Sequence, residues 1–223
     1  ETVETAGTLA FDPAKPTVNI PHDFNMPLDG PNIRLPDNQL AQEARLHQVK
    51  IPAAQAFARA NGLDRIVMDS PNARIGIAAT GKSWLYLMQA LQNLGITEEV
   101  AARMGLRVYK VGMSWPLEPM GALEFAKGLD EILVIEEKRA FIESQLKEIL
   151  YGQPDGQRPL ILGKQDRDGG PLVSTTGELD AADIAHVLIA LFGGNLNNEK
   201  STSHCNLLEA RSADSNLPPV VSR

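Results

Sequence analysis

Hydrophobic residues recur at helical spacing in several segments, and these segments alternate with short, unbroken apolar runs. Helical spacing predicts helices at about 38–61, 84–94, 98–104, 120–127, 141–150 and 180–192. Apolar runs predict strands at 75–80, 106–111, 131–135 and 160–162, with a further short strand at 65–68. Strands that alternate with helices indicate parallel βαβ units. The pattern therefore predicts a three-layer α/β/α domain with a mainly parallel sheet.

Local residue chemistry predicts where some of these helices begin and end. In the first helical segment, Asp37 is the predicted N-cap and Gly62 the predicted stop. Pro52 lies inside that segment, and we expect it to break the segment into two helices. Thr97 is the predicted N-cap of the helix at 98–104, and Gly152 the predicted stop of the helix at 141–150.

The first 36 residues contain six prolines, which favour an extended arm over a helix because proline fixes φ and removes an amide donor. The arm also carries Val18, Ile20, Phe24 and Ile33. We therefore expect it to lie as a strap on a protein surface.

Three regions follow from this layout. Residues 1–64 are predicted to form the extended arm and a helical linker, residues 65–193 the α/β domain, and residues 194–223 a linker tail. The tail is rich in Asn, Ser and Pro.

Composition narrows the class of protein. Apolar residues make up 43% of the chain and charged residues 22%, with a formal net charge of −7. An acidic chain is a poor ligand for nucleic acid or an anionic membrane, and no apolar run approaches the roughly 20 residues that span a bilayer. The single cysteine, Cys205, excludes a disulfide framework and a local iron–sulfur cluster. A cytoplasmic location is the default expectation.

One motif imitates a phosphate-binding loop. Residues Gly76 to Ser83 satisfy the pattern G-x4-GK[ST], and Glu136 ends a later apolar run as a metal-positioning acid would. This alternative predicts a nucleotide hydrolase. However, Gly76 falls inside a predicted strand, whereas an anion-binding nest needs its first glycine after the strand. We expect residues 80–83 to be a strand-to-helix turn with Ser83 as N-cap.

Other residue types predict no catalytic group and no metal site. The histidines are scattered without ligand spacing: His22, His47, His186 and His204. His186 lies on the last predicted helix and is expected to be a half-buried packing residue. Cys205 has no activating partner beyond the adjacent histidine, so a catalytic thiol is not predicted there.

Three segments follow predicted parallel strands and should emerge together at the carboxyl edge of the sheet, where α/β sheets bind ligands. They supply the candidate substrate- or interface-facing residues Thr80, Gly81, Lys82, Ser83, Met113, Trp115, Glu136, Glu137, Lys138 and Arg139. The last four form a charge cluster, for which a solvated turn with ion pairs is the alternative that composition favours.

Several long runs resemble the fused bacterial indolepyruvate ferredoxin oxidoreductase family. The runs are Asn32–Asp37, Leu40–Leu46, Ala58–Asn61, Arg65–Pro71, Gly76–Ile77, Thr80–Ser83, Tyr109–Glu118, Glu136–Arg139 and Gln145–Glu148. The resemblance covers roughly residues 17–192. It implies an internal domain fragment that is similar to the transketolase C-terminal domain.

Enzymes of that family oxidatively decarboxylate aryl 2-oxoacids to acyl-coenzyme A. The resemblance implies thiamine diphosphate, Mg²⁺, iron–sulfur clusters and coenzyme A for the parent enzyme, with ferredoxin as electron acceptor. It implies other domains of the same enzyme, and further copies of the chain, as partners. This chain lacks the Gly-Asp-Gly diphosphate motif and a cysteine set. No cofactor is therefore expected in it, and the family's catalytic residues have no matching positions. A stand-alone interaction module is the remaining alternative.

Overall fold

A computed structural model describes residues 12, 14–15, 17–154 and 156–192. The predicted tail after 193, with His204 and Cys205, lies outside these residues. The helices are α1 Gln39–Arg45, α2 Ile51–Ala60, α3 Gly81–Asn93, α4 Glu98–Met104, α5 Pro119–Ala126, α6 Ile142–Tyr151 and α7 Ala181–Phe192. The strands are β1 Arg65–Met68, β2 Ile75–Thr80, β3 Leu106–Val111, β4 Glu131–Ile135 and β5 Leu160–Leu162. No helix in the described part of the chain is long and apolar enough to cross a membrane.

The five strands form one sheet in the order β1-β3-β2-β4-β5. β2 is central and pairs in parallel with both β3 and β4, and β5 continues the sheet in parallel beside β4. β1 is antiparallel to β3 and closes that side of the sheet. The predicted mainly parallel α/β fold is confirmed.

Helices cover both faces of the sheet. Alternate residues of β2 separate the two apolar cores, because Ile77 and Ala79 face one core whereas Ala78 faces the other. α3 and α7 cover the first core, and α5 and α6 cover the second. β2 and β4 are buried on both sides, which explains why their sequences are apolar runs.

The predicted strands are confirmed, and helix ends differ from prediction by small amounts. α4 begins after Thr97, whose side chain accepts a hydrogen bond from the amide of Val100, as predicted. The N-cap of α1 was predicted one residue too early. Asn38 caps α1 by accepting from the amide of Ala41, whereas Asp37 forms an ion pair with Arg34.

The predicted break at Pro52 takes a different form. A π-helical turn, Leu46–Lys50, joins α1 to α2, and Pro52 is the second residue of α2. The π-helical turn runs directly into α2, since Lys50 and Ile51 have helical φ and ψ and the Ile51 amide donates to the carbonyl of Leu46. Gly62 follows α2 with a φ of 56°, so the predicted stop is confirmed.

The N-terminal arm lies along α2 as the predicted strap, but of its apolar residues only Phe24 is half-buried, whereas Ile33 is exposed. Asn19 and Asp23 contact the end of α2 through hydrogen bonds. The apolar side chains of Val18 and Ile20 are instead exposed, so polar contacts hold this part of the strap. The three predicted domain regions stay a prediction.

Candidate functional site

The parallel arrangement of β2, β3 and β4 brings three segments to one edge of the sheet. These are Thr80–Ser83, which begins with the last residue of β2, and Gly112–Leu117 and Glu136–Arg139, which directly follow β3 and β4. β2 has β3 on one side and β4 on the other, so the chain connections diverge at its carboxyl end. Open α/β sheets bind ligands at such a topological switch point. The shared edge follows from the topology, and its role as a site remains a prediction.

The turn from β2 to α3 lacks the predicted cap. α3 begins at Gly81, whose φ is 55°, and its N-cap residue is Thr80. The Thr80 hydroxyl does not cap the helix but donates to the carbonyl of Val111 at 2.9 Å. Ser83 is therefore the third residue of the helix and is buried, so its predicted N-cap role is wrong.

The phosphate-loop motif does not form a loop. Gly76 is a residue of β2 that pairs with Arg107 on one side and Ile132 on the other. A Cβ at Gly76 would come within 2.5 Å of Leu129 and 2.8 Å of Phe125, so packing alone explains this glycine. The residues between the two glycines of the motif lie in the strand, where their amides bond to neighbouring strands. This geometry disfavours the nucleotide hydrolase.

Lys82 has partners on this edge. Its Nζ lies 3.0 Å from the Glu178 carboxylate and 5.3 Å from the centre of the Tyr86 ring. The hydrogen bond to Glu178 raises the pKa of Lys82. An anionic ligand would have to compete with Glu178 for this ammonium group.

The segment Gly112–Leu117 is held by side chains from other elements. Asp64 accepts from the amides of Gly112 at 2.7 Å and Met113 at 2.9 Å. Gln145 of α6 accepts from the Leu117 amide and donates to the Ser114 carbonyl, both at 2.9 Å. Sequence reasoning missed these supporting residues because they lie far from the segment along the chain.

Trp115 projects from this held segment and is 55% exposed. Met113 is half-buried beside it in sequence. The helix predicted at 141–150 included Phe141, but this residue precedes α6 and is exposed. The Gln145 side chain donates to the carbonyls of both Ser114 and Phe141. Gln145 therefore links the backbone next to Trp115 with that of Phe141, and both of these aromatic side chains are exposed.

Glu136 is a structural acid. It is 4% exposed, and its carboxylate accepts from the amides of Phe141, Ile142 and Glu143 at 2.8 to 3.1 Å. These amides lie at the N-terminal end of α6, where a negative charge is favoured. The interpretation of Glu136 as part of a solvated turn is wrong, because the side chain is buried as a cap.

The other members of the charge cluster lie toward the loop before α7. Glu137 accepts from the amide of Leu179 at 3.2 Å. Lys138 has a φ of 56° and donates to the carbonyl of Gly177. Arg139 is exposed. The exposed cations of this edge are therefore Lys138 and Arg139.

Lys164 is a half-buried cation that sequence reasoning missed. Its Nζ donates to the carbonyls of Glu136 and Ser174 and so ties the end of β4 to the loop after β5. Burial lowers its pKa, and the charges of Glu136 and Glu143 oppose that effect. Its position two residues after the predicted strand at 160–162 was the available signal.

A second buried polar group directly follows the Gly112–Leu117 segment. Glu118 is buried, caps α5 through the amides of Met120 and Gly121, and pairs with Arg59. Beside it, the second carboxylate oxygen of Asp64 and the hydroxyl of Tyr109 are buried without a hydrogen-bond partner among the described residues. Burial raises the pKa of Tyr109, with smaller effects from these two carboxylates.

Replacing Asp64 with asparagine should stabilise the domain at neutral pH. Burial raises the pKa of Asp64, against the hydrogen bonds from Met113 and Gly112. The folded state therefore favours the protonated acid, and stability falls as pH rises from the unfolded pKa near 3.8. Asp64→Asn keeps an acceptor for both amides and removes the charge.

We expect Asp64→Asn to raise the free energy of unfolding by about 1 kcal/mol at pH 7. The gain should disappear below pH 3.8, where the wild-type acid is protonated in both states. Urea unfolding across this pH range measures it, with the exposed Asp168→Asn as the matched control. A loss of stability at pH 7 would contradict the prediction.

Within the described ranges, no group of three or more His, Cys, Asp or Glu side chains could hold a metal ion. Glu136 and Glu118 each direct their oxygens at helix amides. His186 is half-buried on α7, as predicted. The arrangement at this edge can present an aromatic side chain and two exposed cations to a partner.

Comparison with solved structures finds partial similarity only. A split gene transketolase, described as an inactive beta4 tetramer, has a TM-score of 0.38 at 18% identity, over 57% of this chain and 40% of that one. A 2-oxoglutarate:ferredoxin oxidoreductase from Magnetococcus marinus, with 2-oxoglutarate, coenzyme A and succinyl-CoA bound, has a TM-score of 0.45 at 13% identity. This match covers 73% of this chain and 24% of the oxidoreductase chain.

Sequence relatives are more informative. The indolepyruvate oxidoreductase subunit IorA of Methanothermobacter marburgensis is 26% identical over 121 residues, which are 50% of this chain and 18% of the relative. The subunit of the same name from Thermococcus kodakarensis is 34% identical over 94 residues, 42% of this chain and 13% of the relative. This chain therefore matches less than a fifth of the length of either relative.

The sequence profile of a family described as the indolepyruvate oxidoreductase domain matches residues 65–214. The match begins at the first residue of β1 and includes every strand of the sheet. It covers more than half of the chain. The chain therefore belongs to the indolepyruvate oxidoreductase domain family.

Proposed function

We propose that this chain is a non-catalytic supporting domain of a thiamine-diphosphate-dependent indolepyruvate ferredoxin oxidoreductase. Such an enzyme oxidatively decarboxylates aryl 2-oxoacids to acyl-coenzyme A. The family match over residues 65–214 is the observation that carries the proposal. Because the chain matches less than a fifth of its named relatives, the reacting groups are assigned to other parts of the parent protein.

The described residues do not fit thiamine diphosphate with Mg²⁺. A Mg²⁺-bound diphosphate needs free oxygen ligands, usually carboxylates. Glu136, the buried acid directly after β4, already accepts three amide hydrogen bonds. We therefore assign thiamine diphosphate, Mg²⁺, iron–sulfur clusters and coenzyme A to other domains, and ferredoxin to the whole enzyme. A cytoplasmic homo-oligomer is part of this proposal.

The role that we propose for this domain is docking through the carboxyl edge. Trp115 stands on a segment that Asp64 and Gln145 hold in place, so little conformational freedom is lost when a partner covers it. Lys138 and Arg139 add positive charge to an otherwise acidic chain. This combination suits contact with a neighbouring domain beside an anionic group, either a 2-oxoacid carboxylate or a coenzyme A phosphate.

In the full-length parent enzyme, Trp115→Ala should weaken association of the domain or subunits by about tenfold or more. Arg139→Ala should instead raise the Michaelis constant for an anionic substrate by about three- to tenfold, because one exposed contact is lost. Lys82→Ala should have a smaller effect of the same sign, since Glu178 already neutralises this lysine. Gel filtration and steady-state kinetics measure the two effects.

Lys127→Ala is the matched control, because Lys127 is an exposed cation at the C-terminal end of α5, away from this edge. It should leave both assembly and kinetics unchanged. Wild-type assembly for Trp115→Ala, together with wild-type kinetics for Arg139→Ala, would show that the carboxyl edge is only solvated surface.

A further inference from the structure

Arg59, in the last turn of α2, contacts two carboxylates from distant parts of the chain. Its Nε donates to Asp23 of the N-terminal arm at 2.9 Å, and its Nη2 donates to the same carboxylate. Its Nη1 donates to Glu118 at 2.5 Å. Because the guanidinium group is planar and rigid, the contact with Asp23 fixes the direction in which Nη1 points. One side chain therefore connects the arm with the residue that follows the Gly112–Leu117 segment.

The two carboxylates differ in burial. The Asp23 side chain is 53% exposed, whereas that of Glu118 is 2% exposed. A buried carboxylate without a counter-charge is costly, so Glu118 depends on Arg59 more strongly than Asp23 does. Glu118 also caps α5 through two backbone amides. A loss of the contact with Arg59 would therefore disturb the junction between the Gly112–Leu117 segment and α5.

α2 and the residues directly after it hold the Gly112–Leu117 segment at both ends. Asp64 accepts hydrogen bonds from the first two amides of the segment. At the other end, Gln55 of α2 donates to the carbonyl of Leu117 at 3.1 Å. The order of the segment that carries Trp115 therefore depends on how firmly α2 is held.

Polar contacts join the arm to the end of α2. The Asn19 amide donates to the Asn61 side chain at 2.8 Å, and that side chain donates back to the Asn19 carbonyl at 3.0 Å. No residue from 17 to 55 is buried, so the ion pair between Asp23 and Arg59 has no apolar core beside it in the arm. The arm and α2 precede the range 65–214 that matches the family. Arg59 thus links the matched domain to the chain before it.

We propose that Arg59 is a positioning residue through which the N-terminal arm keeps the Gly112–Leu117 segment ordered. While Asp23 holds the guanidinium group, Nη1 stays directed at Glu118. When the arm moves away, Arg59 turns toward solvent part of the time, because a long, partly exposed side chain then regains rotamer freedom. By linkage, a partner that orders the segment also strengthens the contact between the arm and α2. The inference rests on the proposed function only for the role of Trp115 in docking.

Hydrogen exchange on the whole chain tests the proposal without any partner. The amides of Met120 and Gly121 donate to Glu118. Asp23→Ala should raise their exchange rates by about two- to fivefold, as expected for the loss of one exposed ion pair. The amide of Ala78, which is fully buried in β2, should exchange as in the wild type, because the change is local.

The matched control is Asp29→Ala. It removes another carboxylate of the arm, but one that pairs with Arg34 and Arg45 rather than with Arg59. The exchange rates of the Met120 and Gly121 amides should stay those of the wild type.

A double-mutant cycle with Arg59→Lys separates a route through Arg59 from a general effect of the arm. A lysine ammonium group is a compact point charge and cannot replace the planar fork that contacts both carboxylates. Arg59→Lys alone should therefore raise exchange of the same two amides at least as much as Asp23→Ala does. Adding Asp23→Ala to Arg59→Lys should cause no further increase, since both changes remove one shared contact.

Three results would overturn the proposal: wild-type exchange in Asp23→Ala, an equal increase in Asp29→Ala, or a full second increase in the double variant. Failure of the proposed function looks different. Wild-type assembly of the parent enzyme with Trp115→Ala would contradict docking at the carboxyl edge and would leave the exchange rates of the arm variants unaffected.

Discussion

Gly76→Val should destabilise the domain by about 3 kcal/mol, and Gly76→Ala by about 2 kcal/mol. A Cβ at this position would lie 2.5 Å from a methyl group of Leu129 and 2.8 Å from the ring of Phe125. Phe125 stacks on Tyr109 with 4.6 Å between ring centres, so its ring has little room to withdraw. The added methyl groups would separate α5 from the centre of the sheet.

Urea unfolding monitored by circular dichroism measures this loss. Gly152→Ala is the matched control, because a Cβ there would have no atom within 4 Å and the φ of −73° suits any residue. It should change the free energy of unfolding by less than about 0.5 kcal/mol. Wild-type stability of Gly76→Val would contradict the placement of this glycine in a packed strand.

Glu136→Ala should lower the free energy of unfolding by about 3 kcal/mol. The substitution removes three hydrogen bonds between a carboxylate and the amides at the N-terminal end of α6 and leaves those amides without their cap. Glu136→Gln keeps an acceptor oxygen but loses the charge, so about half of this loss is expected for it.

The control lies on α6, the helix that Glu136 caps. Glu148 of α6 is exposed, and Glu148→Gln should change stability by less than about 0.5 kcal/mol. Chemical unfolding of the three variants measures the difference, and hydrogen exchange at Ile142 and Glu143 localises it. If Glu136→Ala unfolded like the wild type while activity of the parent enzyme fell, Glu136 would be a functional acid and our structural interpretation would be wrong.

The central strands were predictable because a strand that is covered on both faces has apolar residues at consecutive positions. β2 and β4 are covered on both faces, so their sequences are continuous apolar runs. β1 lies at the sheet edge with alternating exposure, and its sequence predicted a strand but not an antiparallel one. The direction of a strand depends on the strand with which it pairs. The four residues of β1 do not indicate that this partner is β3.

The candidate site was predictable in position only. Parallel strands placed Thr80–Ser83 and Glu136–Arg139 at one edge without knowledge of side-chain contacts. The role of Glu136 was not predictable, because capping depends on α6 lying over the end of β4. The support of the Trp115 segment by Asp64 and Gln145 was also hidden, since the contacting residues are between 28 and 49 positions apart.

The central place of β2 in the sheet has a consequence for synthesis on the ribosome. Its partner strands come later in the chain, since Ile75 pairs with Leu106 on one side and Glu131 on the other. At about 5–20 residues per second, this central strand stays unpaired on both edges for seconds while its partners are made. The nascent chain is then open to aggregation, and protection by chaperones matters most in that interval.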